Sequence, residues 1–239
     1  MVGIGTLVNT SAIIGGGVLG LFIGKLLTQK HQAALIVACG ISVIFIGIAG
    51  AMEGMLAIAG EHLVSTLAMM VSISLTLGTL FGEILNLHGI IERFASWLKT
   101  ATKNEHDNQF INAFLTASLT VSVGAMAIVG ALEDGMNGDW SILATKSILD
   151  FVIVMIMTSS LGKGAIFSAL PVFIIEGSIT AFAILVQPFM TDVALSYISL
   201  IGSILIFCVG INLLWEDKIR VVNMLPAIVI AYIFTLLPL

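Results

Sequence analysis

Charged residues are scarce in this sequence, and their scarcity excludes whole classes of protein. The 239 residues include nine lysines or arginines and fourteen aspartates or glutamates, together 10% of the chain. A soluble domain carries about 25%. So few charges cannot cover a globule of this size in water, which excludes a soluble fold. The basic residues are also scattered and too few for a phosphate-binding surface, so we expect no nucleic-acid partner.

Cysteine and histidine are few as well. Cys39 and Cys208 lie inside apolar runs, where packing explains them better than a disulfide or a metal site. The four histidines fall in loops or interfacial segments, and none pairs with another at ligand spacing: His31, His62, His88 and His106. Motifs such as Gly-x-Ser-x-Gly and His-Glu-x-x-His are missing. We therefore expect no metal, no cofactor and no enzymatic activity.

The sequence does contain long apolar runs. It is 59% hydrophobic, with a mean hydropathy of +1.15. Runs of about 20 residues match a hydrocarbon layer about 30 Å thick. Spanning backbone must satisfy its own hydrogen bonds, which leaves helices or a closed barrel, and residues 33–52 lack the alternation of barrel strands. The sequence predicts an all-α polytopic membrane helix bundle, with a single transmembrane domain over residues 1–239 surrounded by the lipid bilayer.

Eight spans can be assigned, at residues 4–26, 33–52, 63–83, 110–132, 141–161, 165–187, 193–215 and 221–239. The first is long for a signal peptide and no basic residue precedes it, so we expect it to remain as a span. Residues 84–99 combine apolar side chains at helical spacing with charged ones, which predicts an interfacial amphipathic helix. Residues 103–108 are predicted to form a polar cytoplasmic linker.

The basic residues indicate how these spans are oriented. With the amino terminus outside, eight of the nine fall in cytoplasmic segments: Lys25, Lys30, Arg93, Lys99, Lys103, Lys163, Lys218 and Arg220. The opposite loops contain acidic residues and no basic ones: Glu53, Glu61, Glu133, Asp134, Asp139 and Asp192. Because positive charge is retained inside, we expect both termini outside.

The second and seventh spans suggest an inverted repeat. Four positions recur at a constant offset of 163: Ile41, Gly47, Ile48 and Glu53 align with Ile204, Gly210, Ile211 and Glu216. Apolar helices also align by chance, so both explanations stay open. In a true repeat, spans 1–3 and 6–8 would be inverted copies, a common construction of secondary transporters with the site near the midplane.

Three ionisable residues fall deep in the spans, where a charge costs about 2.5–3.5 kcal/mol on insertion scales. Lys146 and Asp150 share one helix face and can neutralise each other, either in a functional site or in a structural ion pair. Glu176 has no partner in its own helix, and desolvation favours its protonated form. Pro171 and Gly177 predict a helix break beside it, either as in transporter sites or as an ordinary kink.

Other polar residues give further candidates. Asn9 lies about one turn into the first span, ahead of the glycines at 15–17 that favour close helix packing. Glu133 and Asp134, at the outer end of the fourth span, either guard an outer mouth or cap a solvated loop.

Four segments carry a family resemblance: Gly5–Asn9 with the glycines after it, Lys146–Asp150, Leu161–Gly177 and Ile219–Ala227. Together they resemble the bacterial membrane family called domain of unknown function 554, over nearly the whole chain and most specifically in the last segment. The resemblance implies a multi-pass protein of a bacterial inner (plasma) membrane. It marks five site positions and supplies no activity: Asn9, Lys146, Asp150, Glu176 and Gly177.

Two positions depart from that family's pattern. Residues 122–126 read Ser-Val-Gly-Ala-Met where the family resemblance leads us to expect Cys-Val-Gly-Pro-Met. Glu176-Gly177 stands where relatives often carry Gln-Gly. A glutamine there argues against obligatory proton coupling at this position.

The leading hypothesis is a membrane transporter or channel for a small polar solute or ion, with a midplane site between spans one, five and six. The alternative is a structural or regulatory membrane protein without transport activity, whose polar residues only hold helices together. An intramembrane enzyme ranks last. The sequence leaves open the solute, the coupling ion and the oligomeric state, a homo-oligomer included.

Overall fold

Helices make up almost all of the described chain. The computed structural model describes residues 2–60, 62–104, 107, 109–122, 125–215 and 218–236, without the side chain of Ala125. The first six helices are α1 (Ile4–Leu26), α2 (Gln29–Met55), α3 (Ala68–Leu85), α4 (Leu87–Ala101), α5 (Phe110–Ser122) and α6 (Ala125–Asn137). The other six are α7 (Ser141–Leu161), α8 (Ala169–Ala181), α9 (Ala183–Val186), α10 (Asp192–Trp215), α11 (Val221–Met224) and α12 (Pro226–Phe234). The predicted all-α polytopic membrane bundle is confirmed.

The long helices follow the predicted spans. Within the described residues, six segments are long and apolar enough to cross a membrane: Ile4–Leu26, Gln29–Met55, Ala68–Leu85, Ser141–Leu161, Lys163–Ala181 and Asp192–Trp215. Helices α5 and α6 meet at 61° where the fourth span was predicted. A shorter apolar stretch, Val221–Phe234, lies where the eighth was predicted. The exact number of crossings stays a prediction.

A short hairpin corrects the predicted start of the third span. Strands β1 (Leu56–Ala59) and β2 (His62–Ser65) pair antiparallel, so residues 63–65 are extended and α3 begins at Ala68. Gly60 in the turn has a φ of +66°, a conformation that glycine adopts without steric cost. The strands are largely apolar and only four residues long, so the sequence does not distinguish them from the adjoining spans.

The predicted break in the sixth span is displaced. Helix α8 continues through Gly177, and the irregular backbone lies at either end of it. A 3-10 helix, Lys163–Ser168, precedes α8, and Phe182 interrupts the helix after it. Pro171 does not break the helix because it lies in the first turn of α8, where backbone N–H groups have no helical acceptor.

The amphipathic segment forms α4, close to the predicted range of 84–99. It buries Ala95 and Leu98 in a cluster with Phe110 and Phe114 of α5. Trp97 remains exposed, and the interfacial location of α4 stays a prediction. Of the predicted linker 103–108, residues 105, 106 and 108 lie outside the described residues.

Candidate functional site

Helices α1 and α7 pack closely along a row of glycines, which we call the α1–α7 seam. A methyl group at Gly16 would lie 2.3 Å from the carbonyl oxygen of Phe151, and one at Gly20 would lie 2.3 Å from that of Met155. One at Gly24 would lie 2.8 Å from the Ser159 carbonyl oxygen. Only glycine permits this approach, and the paired positions rise together, so the two helices run parallel.

The predicted ion pair is present on α7. Lys146 and Asp150 are 7% and 4% exposed and lie one helical turn apart. The Lys146 Nζ donates to Asp150 Oδ2 and, at 2.7 Å, to the carbonyl oxygen of Val121 on α5. The bend between α5 and α6 leaves this carbonyl close to the end of α5, where a side chain from another helix can reach it.

Glu176 of α8 and Asn9 of α1 form the second half of the site. They are 1% and 0% exposed, and Asn9 Nδ2 donates to Glu176 Oε1 at 2.9 Å. The Lys146 Nζ lies 3.9 Å from the same Oε1. Three helices far apart in sequence thus bring together four predicted site residues, which we call the polar cluster: Asn9, Lys146, Asp150 and Glu176.

Gly177 lies beside the polar cluster without shaping it. A methyl group there would meet only Thr6 Cγ2, at an ordinary contact distance of 3.8 Å. Pro171, about a turn and a half away on α8, lines an apolar cavity of about 380 Å³ between α4–α6, α8 and α10–α12. Ser118 and Ser122 also line this cavity, and their hydroxyls have no partner among the described residues.

At the end of the bundle where α1 begins, Asp134 caps a helix. It is fully buried, and its two carboxylate oxygens accept from the N–H groups of Gly3 at 3.1 Å and Gly5 at 2.9 Å. An acid at a helix N-terminus is stabilising because it meets unpaired N–H groups and the positive end of the dipole. Asp134 therefore lies in neither of the predicted settings, an outer mouth or a solvated loop.

Glu133 is turned away from Asp134. It is half-buried and accepts from Asn137 Nδ2 at 2.7 Å. In the following loop, Asp139 accepts from the hydroxyl and the N–H of Ser141, at 2.6 and 2.9 Å, and these hydrogen bonds lower the pKa of its carboxyl. The structure does not bring the predicted mouth residues together.

Two threonines that the sequence did not single out close the space between Asp134 and Glu176. The hydroxyls of Thr6 and Thr180 lie 3.3 Å apart, and Thr180 donates to the Ala131 carbonyl oxygen at 3.1 Å. Isolated threonines in apolar helices carry no sequence signal of such a contact. They lie between the polar cluster and the end of the bundle where α1 begins.

A cleft of about 410 Å³ opens at the opposite end of the α1–α7 seam. Its lining includes Lys25, Gln32, Asp107 and Lys163, and it reaches Thr158, whose buried hydroxyl has no partner among the described residues. Thr158 is eight residues after Asp150, about 12 Å along α7. The intervening seam closes the polar cluster on this side.

The side chains of the polar cluster can release or take up a proton, change ion-pair partners, or bind a small ion. In the part of the chain that the structure describes, no group of three or more His, Cys, Asp or Glu side chains could hold a metal ion. Cys39 and Cys208 are buried as free thiols in the apolar core, away from the polar cluster.

Comparison with known proteins gives a family and two relatives. A family model described as protein of unknown function (DUF554) matches residues 4–236. The uncharacterized protein YqgA of Escherichia coli (strain K12) is 30% identical over 232 residues, 95% of this chain and 94% of the relative. The uncharacterized membrane protein YdfK of Bacillus subtilis (strain 168) is 29% identical over 227 residues, 95% and 93% of the two chains. No solved structure matches.

Proposed function

Since this chain belongs to the DUF554 family of proteins of unknown function, we propose its activity from the polar cluster itself. It transports a small polar solute or ion across a bacterial inner membrane, through a passage between α1, α7 and α8. The observation that carries this proposal is the burial of four interacting polar residues from three helices inside an otherwise apolar bundle.

The energetics favour a functional reason for keeping these residues. A charge at a helix centre costs about 2.5–3.5 kcal/mol on insertion scales. Hydrogen bonds between membrane helices return about 0.6 kcal/mol each on average. The polar cluster makes three hydrogen bonds within the described residues, from Asn9 to Glu176 and from Lys146 to Asp150 and Val121. Contacts of that size do not offset the insertion cost of the charged side chains of Lys146 and Asp150.

In this proposal the structure represents a closed state. The threonine contact between Thr6 and Thr180 closes the outer side, and the α1–α7 seam closes the inner side. Separation of the seam would extend the inner cleft from Thr158 up to Asp150. Transporters expose a midplane site to one side at a time by such relative movement of helices.

We propose eight crossings with both termini outside. Each crossing reverses the chain direction, so the parallel α1 and α7 fit the first and fifth of alternating spans, which requires the bent α5–α6 pair to cross once. For the inverted repeat, the support is a reciprocal contact. Methyl groups at Gly47 and Gly210 would approach Phe207 and Ile44, and the offset of 163 relates both members of each pair.

The alternative function is a structural or regulatory membrane protein. The observation that favours it is the dryness of the polar cluster, whose members are all 7% exposed or less. Under this alternative the cluster only joins helices and never meets water. An enzyme is not proposed, because the polar cluster offers no nucleophile paired with a base.

Thiol labelling separates the two functions without altering the polar cluster. Ile13 is buried on α1 one turn from Asn9, and Val43 is buried on α2 in the apolar core. We expect Ile13→Cys, with Cys39 and Cys208 replaced by alanine, to react with a membrane-impermeant methanethiosulfonate from at least one side. The matched Val43→Cys should not react. Protection of Ile13→Cys from both sides, equal to that of Val43→Cys, would refute transport through this site.

A further inference from the structure

The polar cluster contains two buried oxygens without hydrogen-bond partners among the described residues. They are Asn9 Oδ1 and Glu176 Oε2. Their residues are already joined through the other atom of each group, Nδ2 to Oε1, at 2.9 Å. A buried acceptor without a donor costs about 1–3 kcal/mol, so two in one pair of residues call for an explanation.

One proton on Glu176 would give both oxygens a hydrogen-bond partner. An amide and a neutral carboxylic acid pair through two hydrogen bonds, in which the amide N–H donates to the acid carbonyl and the acid O–H donates to the amide oxygen. The first of these is present between Asn9 and Glu176. The unpaired atoms are the acceptor and the acid oxygen that the second would use.

We infer that Glu176 carries a proton on Oε2 in this closed state, donated to Asn9 Oδ1, and that the proton is the coupling ion of this chain. In a relative with glutamine at this position, the amide would form the same pair with Asn9 without a titratable proton, so the inference does not extend to such relatives. This inference rests on the proposed transport function and names the ion that the same site binds.

Charge balance supports a neutral Glu176. Lys146 and Asp150 already neutralise each other, so an ionised Glu176 would leave one uncompensated negative charge in a dry interior. The 3.9 Å between Lys146 Nζ and Glu176 Oε1 is too long for a hydrogen bond. Two of the three donors of the ammonium group go to Asp150 and Val121 instead.

The titratable groups around Glu176 are few. From α7 it faces Lys146 and Asp150. The two acids of α6 are Glu133, which accepts from Asn137, and Asp134, which is bonded to the N–H groups at the start of α1. The sequences of α1 and α5 contain no charged residue except Lys25, which lies at the inner end of α1. The 3-10 helix before α8 contributes Lys163, exposed at the same inner end.

Proton release is a balanced step between two arrangements of these groups. When the site opens, the O–H bond of Glu176 breaks and the proton passes to water on the open side. The resulting carboxylate attracts the Lys146 ammonium from 3.9 Å to hydrogen-bonding distance, at the expense of its contact with Asp150. Lys146 would thus link proton release to a rearrangement between α7 and α8.

Infrared spectroscopy of the purified full-length protein tests the proton directly, because a protonated carboxyl has a carbonyl stretch above the amide I band. In potassium buffer at neutral pH, we expect this band in the wild type and in the exposed-site control Glu53→Gln. It should be absent in Glu176→Gln, whose amide offers the same donor and acceptor pattern to Asn9 and should preserve the fold. Equal bands in the wild type and Glu176→Gln would overturn the inference.

Two further spectra sharpen the test. Asn9→Leu should keep the band but move it to higher wavenumber, since the carbonyl has lost its donor; an unmoved band would overturn the inference even if Glu176→Gln does not fold. Replacing potassium by sodium should leave the wild-type band unchanged. Its loss would show that the two oxygens hold Na⁺ and would also overturn the inference.

The inference and the transport proposal can fail separately. If Ile13→Cys is labelled but no Glu176 band is found, the transport proposal stands and the proton inference is rejected. If the Glu176 band is present but Ile13→Cys is fully protected, the transport proposal is rejected and Glu176 is a buried neutral acid without a transport role.

Discussion

Two pairs of long helices, α1 with α7 and α2 with α10, both pack closely at glycines, but the side chains buried beside them differ in polarity. In the α1–α7 seam, a methyl group at Gly16 would lie 2.3 Å from the Phe151 carbonyl oxygen. Between α2 and α10, one at Gly47 would lie 2.5 Å from the backbone nitrogen of Phe207. Among the described residues, those that α2 and α10 bury are all apolar or glycine. Those around the α1–α7 seam include the polar cluster.

The comparison shows that this bundle packs helices tightly without charges. Glycines and apolar side chains are sufficient between α2 and α10, where Val43, Leu205 and Cys208 are buried. Helix association in this bundle therefore does not require residues such as Lys146 and Asp150. Under the proposed function, they bind a solute or ion and allow the α1–α7 seam to open while α2 and α10 stay packed together.

The largest effect is expected from separating the ion pair. Lys146→Met should lower the free energy of unfolding by about 3–5 kcal/mol, because it leaves Asp150 buried without its partner. Asp150→Asn in the same chain should restore most of the loss. The measurement is unfolding in mixed micelles, with Lys25→Met at the helix end as the control. A Lys146→Met variant as stable as Lys25→Met would show that the ion pair has no such role.

A smaller effect is expected from adding a methyl group between the helices of either pair. Gly20→Ala brings a methyl group to 2.3 Å from the Met155 carbonyl oxygen and should cost about 1–3 kcal/mol. Gly47→Ala should cost a similar amount between α2 and α10. Gly15→Ala, whose methyl group would meet Phe151 at 3.7 Å, is the matched control. Only Gly20→Ala should also raise the labelling rate of Ile13→Cys. Equal labelling rates in Gly20→Ala and Gly47→Ala would show that the two helix pairs do not differ in their effect on access to the polar cluster.

Removing the cap of α1 should have an effect of about 1 kcal/mol. Asp134→Ala leaves the N–H groups of Gly3 and Gly5 without their acceptor, whereas Asp134→Asn keeps one oxygen. The order of thermal stability should be wild type, Asn, then Ala. An alanine variant at least as stable as the wild type would contradict the capping role.

The smallest effect is expected from Thr180→Val. It removes the contact with Thr6 and the hydrogen bond to the Ala131 carbonyl, and interactions of this kind are worth about 0.6 kcal/mol in membranes. Because this contact forms the proposed outer closure, labelling of Ile13→Cys from outside should increase. Unchanged outside labelling would place the outer closure elsewhere.

The sequence predicted the bundle and the members of the polar cluster better than the connections between them. Length and hydropathy determine where membrane helices lie, and an i, i+4 pair such as Lys146 and Asp150 is visible in one helix. The contact of Asn9 with Glu176 joins residues 167 positions apart, which no local pattern encodes. The hairpin and the displaced break around α8 were missed because short apolar strands and a proline in a first turn leave apolar runs unchanged.

The central claim is that the seam containing the polar cluster opens while the apolar pair stays closed. Electron spin distance measurements in lipid nanodiscs, with Cys39 and Cys208 replaced by alanine, test it directly. Spin labels at Leu26 and Lys163 report the proposed inner end of the α1–α7 seam, and labels at Val37 and Trp215 report the same end of α2 and α10. We predict a second, longer distance for the first pair whose population changes with pH, and one distance for the second. A single unchanging distance for both pairs, at acidic and at alkaline pH, would contradict the account.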